Sequence, residues 1–123
     1  MATTGEFLWV DSEPQLDAVT ALSGSGPAYV FYFLEAMTRA GTDMGLTAAQ
    51  AHQLAVGTFV GASALARRSD ETPAVLRQRD TAKGGTTDAA LQSMEHDAVA
   101  EKFMQAMQAA RQRAHELGDE FGK

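Results

Sequence analysis

Two short segments place glycines and hydroxyl side chains directly before an apolar helical pattern, where they could bind an anion. The residues are, in the first segment, Ser23, Gly24, Ser25, Gly26 and Pro27, and in the second, Lys83, Gly84, Gly85, Thr86 and Thr87. Glycines let a ligand approach the backbone, and free N–H groups at a helix start attract carboxylates or phosphates. A threonine hydroxyl can also donate to, or accept from, an amine or imine. Both segments indicate a small-anion site, with an ordinary turn or helix cap as the alternative.

Several other kinds of chemistry are excluded by residue type and spacing. The chain contains no cysteine, which removes disulfides, thiol catalysis and thiolate metal sites. His52, His96 and His115 lack a metal-ligand spacing, so we expect them at the surface or between helices and expect no metal. The second glycine segment lacks the spacing of a P-loop, and no Gly-x-Gly-x-x-Gly follows a predicted strand. We therefore expect this chain to bind no nicotinamide cofactor by itself.

Charge and hydropathy limit the partners. The 123 residues carry a net charge of −6, and the isoelectric point is near 4.9. Nucleic-acid binding needs a basic stripe, which this acidic chain lacks, so we expect no nucleic-acid partner. No apolar run is long enough to cross a bilayer, and residues 1–10 have no secretory signal pattern. These features predict a cytoplasmic protein that is not a membrane protein.

The elements that must position the two segments all have helical periodicity, and no segment alternates with the period of a strand. Apolar spacing and capping residues predict helices over the ranges 14–22, 28–40, 48–67, 73–76, 87–94 and 99–121. Ser23 to Gly26 is expected to break the first helix, Gly41 and Gly45 to end the second, and Thr86 or Thr87 to cap the fifth. The predicted fold is all-α, with five or six helices.

The helix predicted from Ala28 to Ala40 is apolar on nearly every side. A helix without a polar face is buried in a large core or between subunits, and a chain of this length favours a subunit interface. In the next helix, Gly57 and Gly61 lie on one side, where they would let a second helix approach closely. These patterns predict a homodimer.

The domain boundaries follow from a change in composition near residue 13. Residues 1–13 mix Thr, Gly and acidic residues with a short apolar patch, which resembles a linker from a preceding domain. The alternative is a terminus whose Trp9 packs on its own core. We expect residues 14–123 to form one helical domain.

The two glycine segments, with their order and separation, resemble the pyrroline-5-carboxylate reductase family. Residues 17–29, Asp-Ala-Val-Thr-Ala-Leu-Ser-Gly-Ser-Gly-Pro-Ala-Tyr, match the opening of that family's C-terminal domain. Residues 73–76 and then Gly-Gly-Thr-Thr at 84–87 follow the spacing of its signature region. The similarity extends from about Gly5 to Gly118.

This resemblance implies an NAD(P)H-dependent oxidoreductase that reduces 1-pyrroline-5-carboxylate to L-proline in proline biosynthesis. The family's N-terminal Rossmann domain holds NADP or NAD, and its helical C-terminal domain, similar to that of 6-phosphogluconate dehydrogenase, forms an interlocked dimer and often a ring of dimers. The resemblance implies that Gly84, Gly85 and Thr86 bind the substrate carboxylate through the backbone. It also implies that Thr87 is the catalytic residue, with its hydroxyl near the ring nitrogen, and that Ser23 to Pro27 line the pocket. A chain without the Rossmann domain is expected to be inactive alone.

The second segment departs from the family pattern just before its glycines. Asp80 brings a negative charge near an anionic substrate, Ala82 replaces a hydroxyl that contacts the carboxylate, and Lys83 partly offsets the charge. Two alternatives remain open at this point. One is a purely structural oligomerisation module whose glycine-threonine loop is only a helix cap. The other is a helical domain of a different 6-phosphogluconate-dehydrogenase-like reductase, against which the paired Ser-Gly-Pro and Gly-Gly-Thr-Thr motifs speak.

Overall fold

A computed structural model of the chain describes residues 12–120, and within that range every regular element is helical. The elements are α1 (Glu13–Val19), a π turn (Thr20–Gly24), α2 (Gly26–Asp43), α3 (Ala48–Arg68), α4 (Pro73–Arg79), α5 (Thr86–His96) and α6 (Val99–Glu120). The all-α prediction is confirmed. The proposed linker falls on residues 1–13, most of which lie outside the described range.

Most helices begin where the capping residues predict. Ser12 caps α1 by accepting from the Gln15 N–H, and Thr72 caps α4 by accepting from the Val75 N–H. Thr47 forms a reciprocal capping box with Gln50 at the start of α3. Such side chains satisfy N–H groups that have no carbonyl partner in the first turn of a helix, which fixes the helix start.

Two predicted helix breaks are wrong, for different reasons. Gly41 does not end α2 but lies buried inside it, where a Cβ would come within 2.8 Å of the Ala51 Cβ on α3. Gly41 is thus a point of close helix approach. Ser23 and Gly24 do not form a loop, because the chain continues from α1 as a π turn, in which the Ser25 N–H donates to the Thr20 carbonyl at 2.8 Å.

The described chain divides into two units. The first contains α1, the π turn, α2 as far as Phe31, and the chain from Ala98 onward. The second runs from Tyr32 to Asp97. In the first unit, α6 packs on both α1 and the π turn. His115 on α6 lies between two carboxylates, with its Nδ1 3.4 Å from Asp17 and its Nε2 3.3 Å from Asp119.

The apolar side chains buried among the described residues are all alanines: Ala21, Ala51 and Ala55. Large apolar side chains remain exposed instead. On α2, Phe31 is 65% exposed and Tyr32 is 68% exposed, and on α3 the exposed fraction of Val60 is 64%. A folded domain normally covers most such side chains, so these helices present extended apolar faces that lack a covering element within the described chain.

Candidate substrate-binding site

The Lys83–Thr87 segment lies in the second unit, between α4 and the start of α5. Gly84 has a φ of +77°, a left-handed conformation that favours glycine. The Gly85 N–H donates to the Ala82 carbonyl at 2.9 Å, which closes a tight turn. A Cβ at Gly85 would come within 3.1 Å of the same carbonyl oxygen. The backbone conformation of the turn thus favours glycine at position 84, and a side chain at position 85 would be tightly packed against the Ala82 carbonyl.

Gly85, rather than Thr86 or Thr87, is the N-cap of α5, so the predicted threonine cap is wrong. Asp88, in the first turn of the helix, bonds to the residue that precedes this cap. Its Oδ2 accepts the Gly84 N–H at 2.9 Å and the Gln92 side-chain amide at 3.1 Å. The threonine hydroxyls are consequently not used as caps, and neither makes a hydrogen bond to another described residue.

The first turn of α5 presents free hydrogen-bond donors. The backbone N–H groups of Thr86, Thr87 and Asp88 have no acceptor within residues 12–120, as expected for the first turn of a helix. Lys83 is exposed and makes no ion pair with a described residue. Thr87 is half-buried. Together with the positive end of the helix dipole, these groups can bind a small carboxylate.

Two carboxylates oppose this positive character. Asp88 shares the first turn of α5, and Asp80 is the C-cap of α4, five residues before Gly85. The Gly84 N–H, followed by the Gln92 side chain, holds the pKa of the Asp88 carboxyl below its usual value, so Asp88 is ionised at neutral pH. Ala82 contributes no side-chain donor, and its carbonyl is occupied by Gly85. The anion-binding capacity of the loop thus depends on backbone N–H groups and Lys83.

Asp88 was missed by sequence reasoning, although an acid three residues after a glycine before a helix is a recognisable capping signal. Its lowered pKa gives the interaction a definite pH dependence. Because the folded pKa is depressed, the Asp88 contact is fully present above the unfolded pKa and is lost as the pH falls through the lower, folded value.

We expect the Gly84 amide to be protected from hydrogen exchange at pH 6 and to lose that protection as acid protonates Asp88. Exchange should be measured by NMR as a protection factor, which removes the intrinsic pH dependence of exchange. In Asp88→Ala the Gly84 amide should be unprotected at every pH. Equal Gly84 protection in that variant and the parent chain would show that the carboxylate does not hold the loop.

The Ser23–Pro27 segment lies in the first unit and spans the end of the π turn and the start of α2. The Ser23 hydroxyl donates to the Val19 carbonyl at 3.1 Å, so it is occupied by the backbone. Ser25, Gly26 and Pro27 are half-buried, whereas Gly24 is exposed. The two segments belong to different units. The second begins a helix as predicted but is capped by Gly85, and the first contains a π turn in place of the predicted loop.

Each unit also contains a cavity. In the second unit, α3 and α4 line an open, largely apolar groove of about 980 Å³. None of the predicted site residues lines it, although Asp80 does. In the first unit, a smaller cavity of about 200 Å³ is lined by Pro14, Asp17, Arg111, Gln112 and His115. No cluster of potential metal ligands occurs among the described residues.

Comparison with known proteins identifies the family. Residues 13–117 match the family described as "Pyrroline-5-carboxylate reductase dimerisation". The chain belongs to this family. It is 44% identical over 123 residues to the pyrroline-5-carboxylate reductase of Pseudomonas aeruginosa, covering 100% of this chain and 45% of that enzyme. The chain thus spans less than half the length of the curated relatives it matches.

Solved structures agree with this assignment. The fold resembles a pyrroline-5-carboxylate reductase from Coxiella burnetii, with a TM-score of 0.85 and 42% identity over 89% of this chain and 41% of that one. It also resembles the Plasmodium falciparum pyrroline carboxylate reductase with NADP bound, with a TM-score of 0.84 and 31% identity, covering 88% of this chain and 41% of that one. None of the described helices is long and apolar enough to span a bilayer.

Proposed function

We propose that this chain is the dimerisation and substrate-binding domain of a cytoplasmic pyrroline-5-carboxylate reductase. The complete enzyme reduces 1-pyrroline-5-carboxylate to L-proline with NAD(P)H. Support comes from the family match over residues 13–117 and from the uncovered apolar faces of α2 and α3. The observation that carries the proposal is the exposed apolar face of α2. In a family named for dimerisation, a second copy of the chain would cover this face.

The dimer follows from the energetics of exposed apolar surface. Phe31 and Tyr32 are each about two-thirds exposed, and apolar surface of this kind contributes about 25 cal/mol per Å² when it is removed from water. A second copy of the chain, related by a two-fold axis, would cover the same side chains twice. The protomers are proposed to interlock through these helices, and the dimers can assemble further into a ring.

The substrate carboxylate is assigned to the start of α5. The N–H groups of Thr86 and Thr87 donate to it, Lys83 contributes positive charge, and Gly84 and Gly85 keep side chains out of its path. In this assignment, the Thr87 hydroxyl donates to the nitrogen of the five-membered ring. We also propose that Ser23 to Pro27, in the first unit, contact the substrate in the complete enzyme.

The protein's contribution to the reaction is positioning and electrostatic stabilisation. NAD(P)H supplies a hydride to the C=N carbon of the ring. A proton must reach the ring nitrogen, and the Thr87 hydroxyl stabilises the charge that changes there. The described residues include no strand and no Gly-x-Gly-x-x-Gly turn that could hold a dinucleotide. We propose that a Rossmann domain linked through residues 1–13 binds the cofactor, since the chain covers only 45% of a related reductase.

One structural observation favours a second candidate, a purely structural oligomerisation module. Asp88 already accepts the Gly84 N–H, as a helix-capping residue would. In that case the glycine-threonine loop would terminate a helix and bind no ligand.

Two measurements on the full-length protein test the proposal. The first is consumption of NADPH in the presence of 1-pyrroline-5-carboxylate, with proline as the product, and complete inactivity would reject the reductase assignment. The second is a crystal soaked with L-proline, in which the carboxylate should contact the N–H groups of Thr86 and Thr87. A pyrrolidine soak is the control, because pyrrolidine lacks the carboxylate. Occupancy elsewhere with an empty loop would favour the structural module.

A further inference from the structure

The π turn leaves one buried carbonyl without its usual backbone donor. In an α-helix the Ser25 N–H would donate to the Ala21 carbonyl, but here it donates to Thr20 instead, at 2.8 Å. Ala21 is only 3% exposed, so water cannot readily replace the missing donor. A buried carbonyl without a partner would destabilise this turn.

Tyr29 supplies the replacement. Its hydroxyl donates to the Ala21 carbonyl at 2.6 Å, from a position one turn into α2. The ring is fixed in turn by α6, because it packs edge-on against Phe103 with the ring centroids 5.4 Å apart and the planes at 89°. Edge-to-face packing of this kind restrains an aromatic ring. The Tyr29 hydroxyl therefore links the π turn to the start of α2, and the contact with Phe103 restrains its ring.

The residues enclosed by this hydrogen bond are those assigned to the pocket. Ala21 and Tyr29 bracket Ser23 to Pro27, so the bond closes a loop around them. π turns inside helices occur frequently at functional sites. If the turn changed to α-helical hydrogen bonding, every following residue would shift in register. The backbone groups of Ser25 and Gly26 would then lie in different positions.

We propose that Tyr29 is a positioning residue for substrate binding, acting through the Ala21 carbonyl to hold the π turn in the shape that presents Ser23 to Gly26. This inference rests on the proposed function of that segment as a pocket wall. Tyr29 does not touch the substrate in this assignment. Its hydroxyl determines the geometry of residues that do.

Tyr29→Phe in the full-length reductase tests the inference, since it removes the hydroxyl and keeps the ring against Phe103. We expect the KM for 1-pyrroline-5-carboxylate to rise roughly three- to tenfold, with the KM for NADPH unchanged. Gln105→Ala is the control, because Gln105 is an exposed residue on α6 in the same unit, and its KM values should equal those of the parent enzyme. Equal substrate KM values in Tyr29→Phe and Gln105→Ala would overturn the proposal.

Hydrogen exchange tests the role of Tyr29 independently of the reductase assignment, because the measurement does not require enzyme activity. In Tyr29→Phe the Ser25 amide should exchange at least several-fold faster than in the parent chain, while amides within α3 remain unchanged. An unchanged Ser25 amide would overturn the proposal whether or not the protein reduces 1-pyrroline-5-carboxylate. If Tyr29→Phe is too unstable to assay, Phe103→Leu loosens the ring and keeps the hydroxyl, and it should raise the same KM. An unchanged substrate KM there would also reject the role.

Discussion

Replacing Phe31 with glutamate is expected to dissociate the dimer, raising its Kd at least a thousandfold. Phenylalanine buries about 150–250 Å², so covering the exposed two-thirds of Phe31 contributes about 3 kcal/mol for each protomer. A two-fold interface contains the residue twice, and a thousandfold change in Kd corresponds to about 4 kcal/mol. Burying two carboxylates increases the effect further.

Sedimentation equilibrium at micromolar concentration measures this change directly. Gln105→Glu is the control, because it adds the same charge at an exposed polar position on α6 in the same unit. The parent chain and Gln105→Glu should sediment as dimers, and Phe31→Glu as a monomer. A folded monomer in the parent chain at that concentration would contradict the proposed dimer.

Replacing Thr87 with valine in the full-length reductase should lower kcat/KM for 1-pyrroline-5-carboxylate by roughly ten- to a hundredfold. Valine has nearly the same shape as threonine but cannot donate to the ring nitrogen. Losing one hydrogen bond to a group whose charge changes during the reaction costs about 1.5–3 kcal/mol. The half-buried position of Thr87 strengthens the effect, because water replaces the hydroxyl poorly there.

Steady-state kinetics should be compared with those of Thr87→Ser, which keeps the hydroxyl and loses only the methyl group. We expect the serine variant to recover most of the activity. The KM for NADPH should stay constant in both, since the cofactor is assigned to another domain. Wild-type kcat/KM in Thr87→Val would exclude the role given to the hydroxyl.

The fold was largely predictable from local signals, and the failures have physical causes. Thr47 and Thr72 marked helix starts correctly, because a side chain that accepts an N–H three residues ahead acts within one turn. Gly41 was misinterpreted as a helix end, since its small size serves contact with Ala51 on another helix, which lies outside any local window. Gly57 and Gly61 meet open space within the described chain, so the predicted close approach must involve another molecule or does not occur.

The start of α5, where the candidate site is proposed, was predictable in position but not in detail. The glycines and threonines identified the start of α5, yet its N-cap is Gly85, and the Asp88 carboxylate accepts the N–H of the preceding residue, Gly84. The π turn gave no sequence signal of its own. It depends on a hydrogen bond between Tyr29 and Ala21, eight residues apart, and on support from α6.

The small size of the side chains at Ala21, Ala51 and Ala55 has a consequence for how the protein folds. Alanines remove little apolar surface from water, so in the proposed dimer the second protomer contributes much of the free energy that opposes chain entropy. Folding and association then become one concentration-dependent equilibrium. The melting temperature of the domain then rises with protein concentration. Dilution favours unfolding of this domain in the same way that a denaturant does for others.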